Sequence, residues 1–115
     1  MEKNVKVSIL LQTYGNLLTE NQVSVLNDYY NDDLSLSEIA ENNNITRQAV
    51  RDNIKKGEQK LFEFEEKLGV MKKTMIQEQK ISEILAKITT IEAKSSDKKV
   101  QHILEEVRTE LNCLV

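Results

Sequence analysis

The sequence predicts an all-α protein, and three observations lead to this fold class. The 115 residues include no proline and only three glycines, so few positions interrupt a helix. Apolar residues recur at three- and four-residue spacing along most of the chain, as they do on one face of an α-helix. Between residues 34 and 55, two such segments flank a run of three asparagines, and this pattern is typical of a helix-turn-helix.

Two helices are predicted ahead of that segment. Residues 5–18 carry apolar side chains at helical spacing, with Gly15 near the end. Thr19 and Gln22 have the spacing of a capping box, so we expect the second helix to begin at Thr19. The polar residues 31–33 should end this helix. Its inner face is expected to carry Val23, Leu26, Tyr29 and Tyr30.

The first helix of the helix-turn-helix is short. Ser35 or Ser37 can cap it, and Ser35 and Glu38 have the reciprocal spacing of a capping box. Where this helix crosses the next one most closely, a small side chain is required. The apolar face of this helix consists of Leu36, Ile39 and Ala40, and Ala40 supplies the small side chain at the crossing.

The turn and the start of the next helix follow directly. Asparagine tolerates the left-handed backbone conformation of a tight turn, so residues 42–44 are expected to form it. Ile45 is predicted to fill the turn from inside, and Thr46 to cap the second helix. Val50 and Ile54 lie four residues apart and define the inner face of that helix.

The second helix of the pair is predicted to be long. It can continue past Gly57 to a C-terminal cap at Gly69. Glycine inside a helix costs conformational entropy, so Gly57 is expected to be a weak point. The apolar side chains that carry the pattern beyond it are Leu61, Phe62, Phe64 and Leu68.

Charge is distributed unevenly along the chain, although the net charge is only −3. Residues 1–45 carry two lysines against seven acids, a net of −5. Residues 46–73 carry eight cations against five acids, a net of +3, and residues 74–115 have a net of −1. Positive charge is therefore concentrated where the second helix of the helix-turn-helix begins, which is where a nucleic-acid interface requires it.

This helix supplies the candidate nucleic-acid interface. Arginine and lysine bind phosphates or guanine, and glutamine can bridge adenine. Arg47 and Arg51 are expected nearest the base edges, with the lysines on phosphates. The alternative interpretation is an ordinary solvated helix face. The full set is Thr46, Arg47, Gln48, Arg51, Lys55, Lys56 and Lys60.

The sequence predicts two parts of the chain: a helix-turn-helix core at residues 1–69 and a C-terminal helical hairpin at residues 70–115. The hairpin consists of two amphipathic helices joined by a polar link at residues 94–99. Its apolar stripes either close the core of a monomer, bind another protein or form a homodimer. We favour the homodimer, which would fix the spacing of two presented helices. The candidate oligomerisation residues are Ile84, Ile88, Ile91, Val100, Ile103, Leu104, Val107 and Leu111.

Catalytic and metal-binding patterns are absent from the sequence. His102 is the only histidine, and Cys113, among Leu111, Leu114 and Val115, has the surroundings of a terminal apolar residue rather than of a nucleophile. There is no glycine-rich phosphate loop and no Cys/His ligand spacing. We therefore expect neither an enzyme nor a bound metal or cofactor. The chain also shows no signal peptide and no apolar stretch of membrane-spanning length, so we expect a cytoplasmic protein.

Four segments carry a family resemblance: YGNLLTENQ at 14–22, YYNDD at 29–33, SLSEIA at 35–40 and TRQAVRDNIKK at 46–56. Residues 18–61 resemble the fourth region of sigma-70-type factors, in which a helix containing Leu-Thr-x-x-Gln precedes a helix-turn-helix that reads promoter DNA. The four segments together are more similar still to the YlxM proteins of low-GC Gram-positive bacteria. This resemblance covers about half the chain, roughly residues 10–68.

The resemblance implies a sigma-region-4-like core and a regulatory role. YlxM genes lie beside those for the signal recognition particle GTPase and its receptor, so components of that particle are implied as partners. DNA is favoured because the motif suits a major groove. The particle contains RNA, which keeps RNA open, although A-form major grooves exclude a helix. The competing hypothesis is a protein-interaction adaptor that uses its acidic first helices and its hairpin, with the helix-turn-helix only as scaffold.

Overall fold

The structure is a computed structural model that describes residues 1–114, so Val115, the last residue of the predicted hairpin, lies outside the described part. Residues 1–114 form six α-helices and one 3-10 turn, with no strand among them, which confirms the all-α prediction. The 3-10 turn is Gly15–Leu17. The helices are α1 (Lys3–Tyr14), α2 (Glu20–Tyr30), α3 (Leu36–Asn43), α4 (Arg47–Leu68), α5 (Val70–Lys94) and α6 (Lys98–Asn112).

The chain divides into two compact units, Met1–Met71 and Lys72–Val115. The first unit contains α1 to α4 and the first residues of α5, and it includes the helix-turn-helix formed by α3 and α4. The second unit contains the rest of α5 and α6.

The core of the first unit draws side chains from all of its four complete helices. Leu10 of α1, Leu26 of α2, Ile39 of α3 and Leu61 of α4 are all completely buried. Burying one such side chain stabilises a fold by about 1.5–3 kcal/mol relative to leaving it exposed. This shared core therefore fixes the position of α4, which carries the candidate interface.

Two capping boxes fix the starts of α2 and α3, as the sequence predicted. The Thr19 hydroxyl accepts a hydrogen bond from the Gln22 amide, and the Gln22 side chain accepts one from the Thr19 amide, both at 3.2 Å. Ser35 and Glu38 make the same pair of bonds at 3.1 and 3.2 Å. Each box satisfies two backbone N–H groups that have no partner within the helix.

The turn between α3 and α4 follows the predicted asparagines but differs in one side chain. Asn44 adopts the left-handed conformation (φ 54°, ψ 41°), and the Thr46 hydroxyl caps α4 by accepting from the Ala49 amide at 3.0 Å. The prediction that Ile45 fills the turn is wrong, because its side chain is 37% exposed. Its backbone N–H closes the turn on the Ala40 carbonyl. The neighbouring core contains buried Ile39 instead.

The inner face of α2 also differs from the prediction. Val25, which the sequence analysis did not select, is buried, whereas Tyr29 is 37% exposed. Tyr29 lies in the last turn of α2, beside the exposed residues 31–33, and its ring packs edge-on against Tyr30. The Tyr30 hydroxyl donates a hydrogen bond to Glu58 of α4.

Gly57 is buried inside α4, which runs without interruption to a C-terminal cap at Gly69 with φ 62°. A Cβ atom at Gly57 would lie 2.7 Å from Cδ1 of Leu26. The glycine therefore allows α4 to approach Leu26 of α2 closely, and the prediction of a weak point missed this packing role.

The first turn of α5 is held by a hydrogen-bonded cluster around Tyr14. The Tyr14 hydroxyl donates to Oε1 of Glu65 at 2.6 Å and accepts from the Val70 amide at 3.1 Å. The Met71 amide donates to the same Glu65 oxygen at 3.0 Å. These N–H groups lie at a helix N-terminus, where no intrahelical carbonyl is available. Burial, followed by the hydrogen bond to Glu65, raises the pKa of Tyr14 above its ordinary value.

The second unit is a pair of amphipathic helices. Ile81 and Ile88 of α5 are both only 5% exposed. Arg108 of α6 links to α5 through Glu92 at 2.7 Å and Thr89 at 3.2 Å. Asp97 caps α6 by accepting from the Lys99 amide at 2.9 Å. The contact of residue 108 with residues 89 and 92, across the turn at 95–97, shows that the two helices run antiparallel.

Candidate nucleic-acid interface

The inner face of α4 determines which of its side chains reach the surface. Val50, Ile54, Gly57 and Leu61 recur every three or four residues, and all of them are buried. Because an α-helix has about 3.6 residues per turn, the positions on the opposite side of α4 must point away from the core. Sequence periodicity alone predicted this division correctly for Val50 and Ile54.

All seven predicted interface side chains are exposed on α4 or at its N-terminal cap. Within residues 1–114, none of the five cations takes part in an ion pair. Their charges are therefore not neutralised by neighbouring carboxylates and are available to an anionic ligand. The cations are Arg47, Arg51, Lys55, Lys56 and Lys60.

The side chains form two rows along the exposed face. Arg47, Arg51 and Lys55 are spaced four residues apart, so they lie one above the other on successive turns. Gln48, Asp52, Lys56 and Lys60 repeat the same spacing beside them. From the first to the last cation, this surface extends about 20 Å along the helix axis.

Asp52 lies within the second row, and its carboxylate has a partner there. The Gln48 Nε2 donates a hydrogen bond to Asp52 Oδ1 at 3.0 Å. A carboxylate cannot donate, so the amide nitrogen of Gln48 must face Asp52. Among the described residues, the amide oxygen and the second N–H of exposed Gln48 make no other hydrogen bond, and an acceptor and a donor of this kind can match the major-groove edge of adenine.

Sequence reasoning missed this pair, although its i, i+4 spacing is a readable signal for Gln–Asp hydrogen bonds on a helix. It also missed the role of Glu58, which binds Lys3 at 3.3 Å and accepts from Tyr30. That acid is thereby held toward α1 and α2. Its long-range partners have no local sequence signal.

Thr46 has a structural role in addition to its exposed position. Its hydroxyl oxygen accepts from the Ala49 amide, so it stabilises the first turn of α4. A hydroxyl can still donate its own hydrogen outward while accepting from a backbone amide. The predicted contact from Thr46 to nucleic acid is therefore compatible with its capping role, and a contact to a phosphate oxygen would use the hydroxyl as donor.

The predicted oligomerisation residues separate into two groups in the structure. Ile88 is buried at 5%, and Val100, Leu104 and Leu111 are half-buried. The other four are exposed by 37–57%: Ile84, Ile91, Ile103 and Val107.

Other groups considered in the sequence lie on the surface of the second unit. His102 pairs with Glu106 at 3.1 Å, and Cys113 is an exposed free thiol. Among the described residues, no cluster of three or more His, Cys, Asp or Glu side chains is placed to hold a metal ion. No helix within residues 1–114 is long and apolar enough to cross a membrane.

The fold of the first unit and the exposed cations of α4 define a helix-turn-helix protein. Residues 1–107 match the family UPF0122, described as "Putative helix-turn-helix protein, YlxM / p13 like". The chain belongs to this family, which confirms the resemblance to YlxM proteins drawn from the four sequence segments.

Relatives at 42–56% identity support the assignment. A UPF0122 protein of Clostridium acetobutylicum is 42% identical over 112 residues, which cover 97% of each chain. A UPF0122 protein of Acetivibrio thermocellus is 42% identical over 115 residues, covering 100% of this chain and 98% of the relative. One from Malacoplasma penetrans is 56% identical over 63 residues, covering 55% of this chain and 59% of the relative.

Proposed function

We propose that this protein is a non-catalytic cytoplasmic regulator that binds nucleic acid, preferably duplex DNA, through the N-terminal half of α4. One observation carries the proposal. The helix-turn-helix places five exposed cations in two rows on α4, and none of them is paired with an acid within residues 1–114. Phosphate neutralisation by such cations supplies most of the affinity of a protein for nucleic acid.

The proposed mechanism places α4 in the major groove. Arg47 and Arg51 lie closest to the N-terminus of α4, where recognition helices contact base edges. Lys55, Lys56 and Lys60 are further along and would contact phosphates, which set orientation without reading sequence. Gln48, oriented by Asp52, would contact adenine.

The wider context of this function is also a proposal. Membership of the YlxM-like family supports a connection with the signal recognition particle pathway, so RNA of that particle is the second ligand to test. Duplex DNA remains favoured because the major groove of A-form RNA is too narrow for a helix. Two interfaces held at a fixed spacing by a homodimer would match two half-sites.

A second candidate function is a protein-interaction adaptor. The net charge of −5 over residues 1–45 favours it, because a surface with this charge repels nucleic acid and attracts basic proteins. In that case α4 serves as scaffold, and reversing its charges leaves partner binding intact.

A salt titration of binding tests the proposal. The protein is titrated against a mixed-sequence DNA duplex and against signal recognition particle RNA, with fluorescence anisotropy as the readout. If Lys55, Lys56 and Lys60 each contact a phosphate, log K falls against log salt with a slope of about −2.7 for duplex DNA. Arg47→Glu combined with Arg51→Glu is expected to reduce affinity at low salt by about 30-fold or more.

The control for this experiment is Lys67→Glu combined with Lys98→Glu. Both lysines are exposed and distant in sequence from the start of α4, and the change in net charge is identical. Compared at about 0.1 M salt, where charge is screened over about 10 Å, the control should bind within about threefold of the wild type, because neither lysine belongs to the proposed interface. Absence of binding by the wild type to either ligand at low salt contradicts the proposal and favours the adaptor.

A further inference from the structure

Exposed apolar side chains are concentrated on the second unit. Ile84 and Ile91 of α5 are 41% and 47% exposed, and Ile103 and Val107 of α6 are 57% and 37% exposed. Single exposed apolar residues are normal on protein surfaces, whereas a continuous apolar patch marks an interaction site. The relevant question is whether the two helices present these side chains on the same side of the pair.

Helical geometry places them together. At about 100° per residue, Ile84 and Ile91 lie roughly 60–80° from buried Ile81 around the axis of α5. Val107 and Ile103 lie roughly 60–100° from half-buried Leu104 around the axis of α6, in the same rotational sense. Since α5 and α6 run antiparallel, equal rotation brings both sets to one side of the hairpin. We call these four side chains the apolar face.

The two edges of the apolar face have opposite charge. On α5, exposed Lys80 and Lys87 lie seven residues apart, just beyond Ile84 and Ile91 around the helix. On α6, exposed Glu110 lies just beyond Ile103 in the corresponding position, about 120° from Leu104 around the axis. Neither Lys80 nor Lys87 is in an ion pair within the described residues, and the same is true of Glu110.

We propose that the apolar face is covered by the apolar face of a second copy of this chain, with α5 of each copy packed against α6 of the other. This arrangement has a two-fold axis parallel to the helices and forms a four-helix bundle. It places Lys87 beside Glu110 of the second copy. The alternative axis, perpendicular to the helices, packs α5 on α5 and brings the lysine edges together, which like-charge repulsion disfavours.

The complementarity is strongest away from the turn. Near the turn, the two edges carry Lys94 and Lys99, so attraction must come from the part of the hairpin that contains Lys80, Lys87 and Glu110. This dimer rests on the homodimer of the proposed function and specifies which helix faces form its interface. It is tested without nucleic acid, so its failure is distinct from failure of the α4 interface.

Sedimentation equilibrium of the full chain measures this association. The wild type is expected to dimerise, and Ile84→Ser combined with Ile103→Ser to be monomeric at the same concentrations, since four apolar side chains per dimer are lost. Lys87→Glu and Glu110→Lys should each raise the dimer Kd by about tenfold, because two pairs per dimer become repulsive. The double variant Lys87→Glu/Glu110→Lys should restore the wild-type Kd.

The control is Glu105→Lys, which reverses an exposed charge about 160° around the axis of α6 from Ile103, on the other side of the hairpin, and should leave the Kd unchanged. Circular dichroism of every variant checks that it is folded. Helix content should equal that of the wild type, because the substituted positions are on the surface. A monomeric wild type overturns the proposal and makes a different protein the partner of this face. Failure of the double charge swap to restore the Kd overturns the pairing of α5 with α6.

Discussion

At the scale of single residues, Gly57 shows two opposing effects of one missing Cβ. Alanine is favoured over glycine inside a helix by about 0.5–1 kcal/mol. At Gly57, however, the new Cβ would lie 2.7 Å from Cδ1 and 3.3 Å from Cγ of Leu26, which is completely buried. Overpacking of this kind costs about 1–3 kcal/mol, so packing should outweigh helix propensity.

We therefore expect Gly57→Ala to lower the free energy of unfolding by about 1 kcal/mol. Gly15→Ala is the matched control, because its Cβ would meet only Leu11, at 3.8 Å, and its φ is −54°. That change should be neutral or slightly stabilising. Urea unfolding of both variants measures the difference. A stabilised Gly57→Ala would show that Leu26 can move, contrary to the packing described here.

At the scale of elements, Tyr14 connects α1 to the first turn of α5 through Glu65 and Val70. Removal of its hydroxyl by Tyr14→Phe leaves the Val70 amide without this acceptor and removes one of the donors to Glu65, which still accepts from the Met71 amide. Unsatisfied groups of this kind are destabilising when shielded from water. We expect a lower urea midpoint for Tyr14→Phe at neutral pH, with Tyr29→Phe, at a half-exposed ring, as the control.

The same hydroxyl should make stability depend on alkaline pH. The pKa of Tyr14 in the folded protein is raised above 10.0 by burial and by the Glu65 hydrogen bond. A raised pKa means that the folded state holds its proton more tightly than the unfolded state does. Its contribution is therefore complete below pH 10 and is lost as pH rises through the folded pKa. The stability advantage of the wild type over Tyr14→Phe should shrink above pH 10, and an unchanged advantage would contradict this assignment.

These elements also show what the sequence could and could not predict. Capping boxes, the left-handed Asn44 and the exposed face of α4 depend on neighbours within a few residues, so local pattern was sufficient. The exposure of Ile45 and the contact of Gly57 with Leu26 depend on how helices cross. The bond between Tyr14 and Glu65 joins residues 51 positions apart and leaves no local signal.

The candidate interaction surfaces also have features that the sequence could predict and features that it could not. Exposure of its cations followed from helical spacing, because burial of one face leaves the other in water. The oligomerisation stripe was less accurate, since periodicity cannot separate a buried side chain such as Ile88 from an exposed one such as Ile84. Whether such a side chain is buried depends on the direction, around the axis of α5, in which α6 lies, and residue spacing alone does not give that direction.

At the scale of the whole molecule, the two proposals make a joint prediction. If a dimer presents two α4 helices, binding of the first to a long duplex makes binding of the second intramolecular. The second event then has an effective concentration in the millimolar range, which raises affinity by about 100-fold or more when both sites can be reached. A duplex too short for two interfaces gains nothing from dimerisation.

Ile84→Ser combined with Ile103→Ser separates these effects, because it removes the apolar face without changing charge or any α4 side chain. On a duplex of about 30 base pairs, which spans several helical turns, the variant should bind at least tenfold more weakly than the wild type. On a duplex of about 10 base pairs the two should bind equally. Equal affinity on both lengths would mean that self-association does not contribute to nucleic-acid binding, even if each occurs. Equal weakening on both lengths would instead place the substituted isoleucines in the nucleic-acid interface itself.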